Sequence, residues 1–203
     1  EKVNSFVGLF NRQVDRLTEL VETMLDVSRI SSGRLILEPK DIDLSELVRE
    51  VVQNLQIQAQ HHPGRPALSS ISVLAPEHLY MHADLSRLKQ VVQNLLTNAL
   101  KYGDGKAVEV QVLSDDKTAT LKVIDHGIGI APESQKRIFE RFERAISAQN
   151  ISGLGLGLYI TKQIVDAHKG DISVTSQLQV GSVFTVHLPL QSACALQRLN
   201  DLI

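Results

Sequence analysis

Tryptophan is missing from this chain, and phenylalanine and tyrosine bring the aromatic content only to 4% of 203 residues. That removes the stacking platform on which single-stranded nucleic acid is held. Cysteine occurs once, as Cys194, so an intrachain disulfide and a clustered-thiol zinc site are both excluded. A single thiol suits a reducing compartment. Neither sign of charge dominates: 21 Lys and Arg stand against 23 Asp and Glu, a net charge of −2. A nucleic-acid-binding face needs a basic excess, so nucleic acid is not an expected partner. No apolar run approaches the ~20 residues of a membrane-spanning helix, and no secretory leader pattern is present. The sequence opens on Glu1 rather than methionine, so a longer parent protein is expected. What remains, 43% hydrophobic and 22% charged, suffices for one good core and an appendage.

The appendage is N-terminal. Val3, Val7, Phe10, Val14, Leu17, Val21 and Met24 recur at alternating spacings of four and three. That is a heptad seam, the pattern of a coiled coil or bundle helix over residues 1–31. Phe6, Leu20, Leu25 and Val27 widen the apolar surface, so the helix needs a partner from its own chain or another; Gly33 supplies a stop. The competing reading is a core helix of the domain that follows.

Beyond it, strands and helices alternate. Leu35–Leu37 reads as a short strand. Asp43-Leu-Ser-Glu46 has the spacing of an N-cap with a capping-box acid, opening a helix to about residue 60. His61-His-Pro-Gly-Arg-Pro66 is a break. Ser70–Leu74 and Leu79–His82 read as strands, and Asp84 caps a helix that runs to Tyr102 and ends at Gly103-Asp-Gly105. Val108–Leu113 and Thr118–Ile124 read as a hairpin, residues 134–142 as a short helix, 143–153 as a mobile loop and 155–168 as helix. Asp171–Ser176 and Ser182–Leu188 pair around a Gly181 turn, and residues 191–203 form a tail. Such a mixture implies an α+β architecture with helices on one face of a sheet.

Three features carry chemistry. On the helix ending at Tyr102, Asn94, Asn98 and Lys101 fall at i, i+4 and i+7 and share one stripe. A carboxamide oxygen suits Mg²⁺, a hard ion that binds few protein groups beside phosphates, and a nearby lysine neutralises phosphate charge. Alone, the stripe reads first as the wet face of an amphipathic helix. Asp125 follows an apolar strand and precedes Gly127 and Gly129. There a carboxylate can accept a hydrogen bond from an exocyclic amine while glycines let backbone approach a flat base; a simple Asp-x-Gly turn is the alternative. Gly153-Leu-Gly-Leu-Gly157 opens a helix, where free amides bind anions. It is not a Walker loop, since no Lys-Ser/Thr follows, and a flexible hinge is the alternative.

In order, these segments resemble the boxes of sensor histidine kinases. Gln93-Asn-Leu-Leu-Thr-Asn-Ala-Leu-Lys-Tyr102 resembles the N box, Asp125-His-Gly-Ile-Gly-Ile130 the G1 box, Ile138-Phe-Glu-Arg-Phe142 the F box and Gly153–Leu158 the G2 box. The resemblance runs from about residue 12 to Pro189, and Arg29-Ile-Ser-Ser-Gly33 looks like the end of a dimerisation and phosphotransfer hairpin. It implies the Bergerat (GHKL) ATP-binding α/β sandwich, a mixed sheet with helices on one face, preceded by a long coiled-coil or bundle helix. The implied domains are 1–33, the second helix of the hairpin; 34–190, the ATP-binding catalytic domain; and the tail 191–203. The implied activity is that of an ATP-dependent protein histidine kinase, passing the γ-phosphate to a histidine and then to a response-regulator aspartate in a two-component phosphorelay. Implied partners are ATP, a receiver domain and a second copy through the N-terminal helix, with a cytoplasmic placement whether or not the parent is membrane-anchored.

The resemblance also assigns roles. Asn98 would ligate Mg²⁺, Asn94 and Lys101 would approach the phosphates, and Tyr102 would lie near the ribose or lid. Asp125 would hold the adenine amine, with Gly127, Gly129 and Ile130 on that wall. Phe139 would anchor the lid, residues 143–152, while Gly153, Leu154, Gly155, Leu156 and Gly157 would close over the phosphates. Arg141 and Arg144 are candidate phosphate partners or plain surface ion pairs. Family members that hydrolyse ATP with water commonly carry Glu at the place of Asn94, and an amide cannot accept that proton. Slow hydrolysis is therefore expected. None of the seven histidines has the His–acid–Arg/Thr–Pro setting of the phosphoacceptor. The chain is expected to begin after that histidine and not to phosphorylate itself. The alternative is a degenerate module that signals through helix contacts without kinase activity.

Overall fold

A computed structural model describes residues 2–32, 35–60, 70–143 and 154–190. Gly33, the His61–Pro66 break, most of the 143–153 loop (144–153) with Arg144 and Gly153, and the tail lie outside the described residues. The chain divides into two units, residues 1–36 and 37–203.

The first unit is a single helix, α1 (Lys2–Ser31). The seam positions described there stay open: Val14, Leu17, Val21 and Met24 are all exposed, Leu17 by 62%.

The second unit opens with β1 (Lys40–Asp43) and α2 (Leu44–Gln60), so the strand lies later than Leu35–Leu37. The expected cap of α2 forms: Asp43 Oδ1 accepts from the amides of Ser45 and Glu46 at 2.9 and 3.3 Å, and from Leu79 at 3.0 Å. Then come β2 (Ile71–Leu74), β3 (Tyr80–Ala83) and α3 (Leu85–Tyr102). Next are the hairpin β4 (Val108–Ser114) and β5 (Thr118–Asp125), and the short α4 (Pro132–Gln135). The segment 134–142 is therefore mostly turns, because Pro132 starts the helix early and the chain breaks out of it after one turn. The chain ends in α5 (Gly157–Ala167), β6 (Asp171–Gln177) and β7 (Gly181–Pro189).

β1 and β3 form an antiparallel pair, while the main sheet is five-stranded in the order β2-β4-β5-β7-β6. Only the β2–β4 pairing is parallel, so the sheet is mixed. Alternation decides its faces. Val110, Val123 and Phe184 stand side by side on β4, β5 and β7, as do Val112, Leu121 and Val186, and all are buried. The residues between them, such as Gln111, Lys122 and Thr185, are only partly covered. One face of the sheet is thus dry, as expected where helices cover one side. The helices supply the complement. On α3, Leu88, Val91, Val92, Leu95, Leu96 and Ala99 repeat at helical spacing and are buried; so are Leu44, Leu47, Val48, Val51 and Val52 on α2, and Ile160, Ile164 and Val165 on α5. Each such aliphatic side chain contributes about 1.5–3 kcal/mol on leaving water.

α3 is anchored by Asp84, which accepts from the Arg87 amide at 3.1 Å and the Glu38 amide at 2.9 Å. The Asp84 amide in turn donates to His168 Nε2 at 3.1 Å, while His168 Nδ1 donates to the Ile164 carbonyl at 2.8 Å. His168 therefore ties the end of α5 to the start of α3, a more specific task than complementing a helix dipole.

Candidate functional site

The inward row at one end of the central strands reads Val108, Asp125, Ser182 across β4, β5 and β7. Strand alternation that buries Leu121 and Val123 also buries Asp125, which is 5% exposed. An anion there is costly unless it is hydrogen-bonded. The Gly127 amide donates to Asp125 Oδ1 at 2.9 Å, and Ser182 donates through both its amide and its hydroxyl. Burial outweighs these donors, so the Asp125 carboxyl lies above its ordinary range. Buried acids with displaced pKa values mark sites that await a partner.

The loop after Asp125 fits too tightly for side chains. A Cβ on Gly127 would overlap the Tyr102 carbonyl oxygen, and one on Gly129 (φ 69°) would overlap the Gln177 carbonyl oxygen. Ile128 bonds backward and forward through its backbone, its amide to the Tyr102 carbonyl at 3.1 Å and its carbonyl to the Gln179 amide at 2.8 Å. The loop is thereby stitched to the end of α3 and to the β6–β7 turn.

Beside it lies a cleft of about 850 Å³, counting its open mouth. Of the residues singled out in the sequence, Asn98, Lys101, Tyr102, Asp125, Gly129, Ile130 and Gly155 line it. Ile128, Ile138, Leu158 and Phe184 add an apolar lining, and Glu143 and Ser182 add polar atoms. Sequence reasoning passed over Ser182 and Phe184, since β7 carries no motif of its own. The alternation of Ser182, Phe184, Val186 and Leu188 was the available signal for their inward face.

Other expected residues stand elsewhere. Gly127 backs the cleft through its bond to Asp125. Asn94 turns toward α5, its Nδ2 donating to the Gly157 carbonyl at 3.3 Å and to Thr161 Oγ1 at 3.4 Å. Phe139 is half-buried and its neighbour Ile138 faces the cleft instead. Leu154 is exposed, Leu156 is buried at the N-cap of α5, and Gly157 is the first residue of that helix. No side chain caps α5 there, which leaves its first amides for another acceptor. The Phe142 amide reaches the Gly155 carbonyl at 3.1 Å and joins the two stems of the 144–153 segment. The Arg141 guanidinium lies over the Phe142 ring, 4.7 Å from its centre, and Arg137 pairs with Glu143.

The site therefore has a buried acceptor at one end, apolar walls, and at the other end a carboxamide, a lysine and an uncapped helix start. Oxygen donors there are few. Among the described residues no cluster of His, Cys, Asp and Glu could hold a metal ion, and an ion bound near Asn98 would rely on ligand oxygens.

The profile of the histidine kinase-, DNA gyrase B-, and HSP90-like ATPase family matches residues 83–192, which contain every cleft-lining residue. The sensor protein EvgS of Escherichia coli K12 is 32% identical over 180 residues, 86% of this chain and 15% of EvgS. The circadian input-output histidine kinase CikA of Synechococcus elongatus is 31% identical over 200 residues, 95% of this chain and 26% of CikA. The crystal structure of full-length ShkA in complex with AMPPNP superposes with a TM-score of 0.77 at 26% identity, covering 94% of this chain and 39% of ShkA. The chain thus spans only 15% and 26% of the length of those two curated relatives. No described helix is long and apolar enough to cross a membrane. From matched profile, fold and cleft, the chain belongs to the histidine kinase-, DNA gyrase B-, and HSP90-like ATPase family, with a catalytic domain of the sensor histidine kinase type.

Proposed function

We propose that the parent protein is a two-component sensor kinase in which this cleft binds ATP and presents the γ-phosphoryl group to a histidine outside these residues. From there the group passes to an aspartate on a response-regulator receiver domain. The observation that carries this reading is the buried Asp125 carboxyl in the lining of a partly apolar cleft, since a purine amine is the kind of donor it lacks.

Asp125 accepts from the exocyclic amine of adenine, while Gly129, Ile128, Ile130 and Phe184 pack on the ring. Tyr102 lies toward the ribose. Lys101 and the first amides of α5 meet phosphate oxygens. Asn98 offers its amide oxygen to Mg²⁺, which when bound neutralises charge on the phosphates. The Arg137–Glu143 pair and the Phe142–Gly155 bond support the start of the lid, residues 143–152, with Phe139 behind it. Catalysis of this kind rests on positioning and electrostatics. Asn94 supports transfer to imidazole over hydrolysis. Its amide cannot take a proton from water, and the Gly157 carbonyl and Thr161 hydroxyl it meets favour an amide nitrogen there. The exposed seam of α1 supports its pairing in a dimerisation hairpin with a second copy of the protein.

Calorimetric titration with a non-hydrolysable ATP analogue tests this. Uptake is expected to weaken about 100-fold on Asp125→Ala, the loss of a charge-assisted hydrogen bond. Asn98→Ala is expected to weaken it about tenfold with Mg²⁺ present and hardly at all with the metal removed. Uptake that ignores both substitutions ends the proposal.

A further inference from the structure

Ser176 lies at the end of β6, outside the cleft, and its hydroxyl makes three contacts. It accepts from the Ile130 amide at 2.8 Å and donates to the Gly181 carbonyl at 2.8 Å. The third is Ser182 Oγ, 3.0 Å away. A hydroxyl has one proton and two lone pairs. With one lone pair toward Ile130, its proton lies between the Gly181 carbonyl and Ser182 Oγ, and donated to Ser182 it leaves that residue's own proton for the Asp125 carboxylate. Ser182 in turn donates from its own hydroxyl to the Asp125 carboxylate. The assembly is braced from behind by Gln135, whose Nε2 donates to the Ser176 carbonyl at 2.8 Å and the Ile130 carbonyl at 3.0 Å. Ser176 therefore touches both a wall residue of the cleft, Ile130, and the serine that holds the buried acid.

We infer that Ser176 is a positioning residue for base recognition: through Ser182 it fixes the rotamer in which the Asp125 carboxylate meets the purine's exocyclic amine. The inference rests on the adenine-nucleotide reading of the cleft. Without Ser176 Oγ, the Ser182 side chain loses the neighbour that restricts its rotation. Asp125 then loses an oriented donor, and its carboxylate turns more freely. The penalty falls on the bond to the amine and not on the phosphates, which are met elsewhere.

Two ligands isolate that bond. ATP and purine riboside 5′-triphosphate differ only in the 6-amino group, so their affinity ratio reports what the amine contributes. The ratio is expected to fall about fivefold in Ser176→Ala, the worth of one net hydrogen bond. Ser176→Thr, which keeps the hydroxyl, is expected to restore it. A residue that matters only for stability weakens both ligands alike, and a constant ratio in Ser176→Ala overturns the inference while leaving ATP binding intact. Failure of Ser176→Thr to recover the ratio overturns it as well. If the alanine variant does not fold, Ser176→Cys, similar in size and a weak hydrogen-bonder, is measured against the same two outcomes. Wild-type protein that takes up neither nucleotide removes the reading of the cleft itself, and the inference with it.

Discussion

At the Asp125 end of the cleft, backbone and side chains are mutually committed: Gly127, Ser182, Ser176, Ile130 and Gln135 are joined through hydrogen bonds of 2.8–3.0 Å. The end between α3 and α5 is looser. There α5 starts without a side-chain cap, and the Asn94 contacts are 3.3 and 3.4 Å long. The contrast follows from what each end must meet. A flat base is recognised by a surface that does not move, because each degree of freedom lost on binding weakens it. Phosphates that are to be given away are better held by groups with acceptors and donors to spare.

Glycine substitutions give the sharpest break between the ends. At the rigid end, Gly129→Ala places a Cβ into the Gln177 carbonyl at a φ of 69°. Loss of about 3 kcal/mol or more of stability is expected in denaturant unfolding, with nucleotide uptake lost alongside. An unfolding midpoint equal to that of the wild type would show the base end to be pliable.

An intermediate effect is expected from pH. Burial raises the Asp125 carboxyl above its ordinary value despite the bonds from Gly127 and Ser182. A purine amine needs the anionic form. Affinity is therefore full above the raised value and falls as pH drops through it, at a higher pH than an unperturbed Asp would give. The apo fold responds with the opposite sign: a raised acid favours folding below the unfolded value and loses that contribution as pH rises through the folded one. Titrations of an ATP analogue across the acid range check this. Ser182→Ala should move the midpoint upward, and a midpoint that stays put in that variant argues against the donor role of Ser182.

The smallest effect belongs to Gly157→Ala. Its Cβ would find nothing nearer than the Asn94 side chain at 3.8 Å, an ordinary contact. Helix propensity then favours alanine by about 0.5–1 kcal/mol, so thermal unfolding should shift slightly upward. A destabilised variant would mean that the α5 end is as tightly built as the Asp125 end.

Much of this was legible residue by residue. Asp43 and Asp84 announced two helix starts because an N-cap is a local contract between a side chain and amides two or three positions on. The hydrophobic spacing of α3 and the alternation of β4, β5 and β7 showed which faces would be buried. The segment 134–142 was misjudged as helix since the apolar spacing around Ile138 and Phe139 is satisfied by turns that aim Ile138 into the cleft. Leu35–Leu37 was misjudged as strand because strand pairing there depends on β3, far along the chain, whose register starts at Lys40.

The sequence by itself determined which chemistry is available: an acid between an apolar strand and two glycines, a carboxamide stripe on a helix, and a glycine-rich helix start. Those are facts of local spacing, and spacing is covalent. Only the tertiary structure decided that Ser182 faces Asp125, that Ser176 stands behind it, and that Asn94 turns toward Gly157 instead of into the cleft. The physical reason is that cross-strand register and helix-to-helix contact join residues distant in the chain, and no local pattern fixes which of several compatible neighbours each will meet.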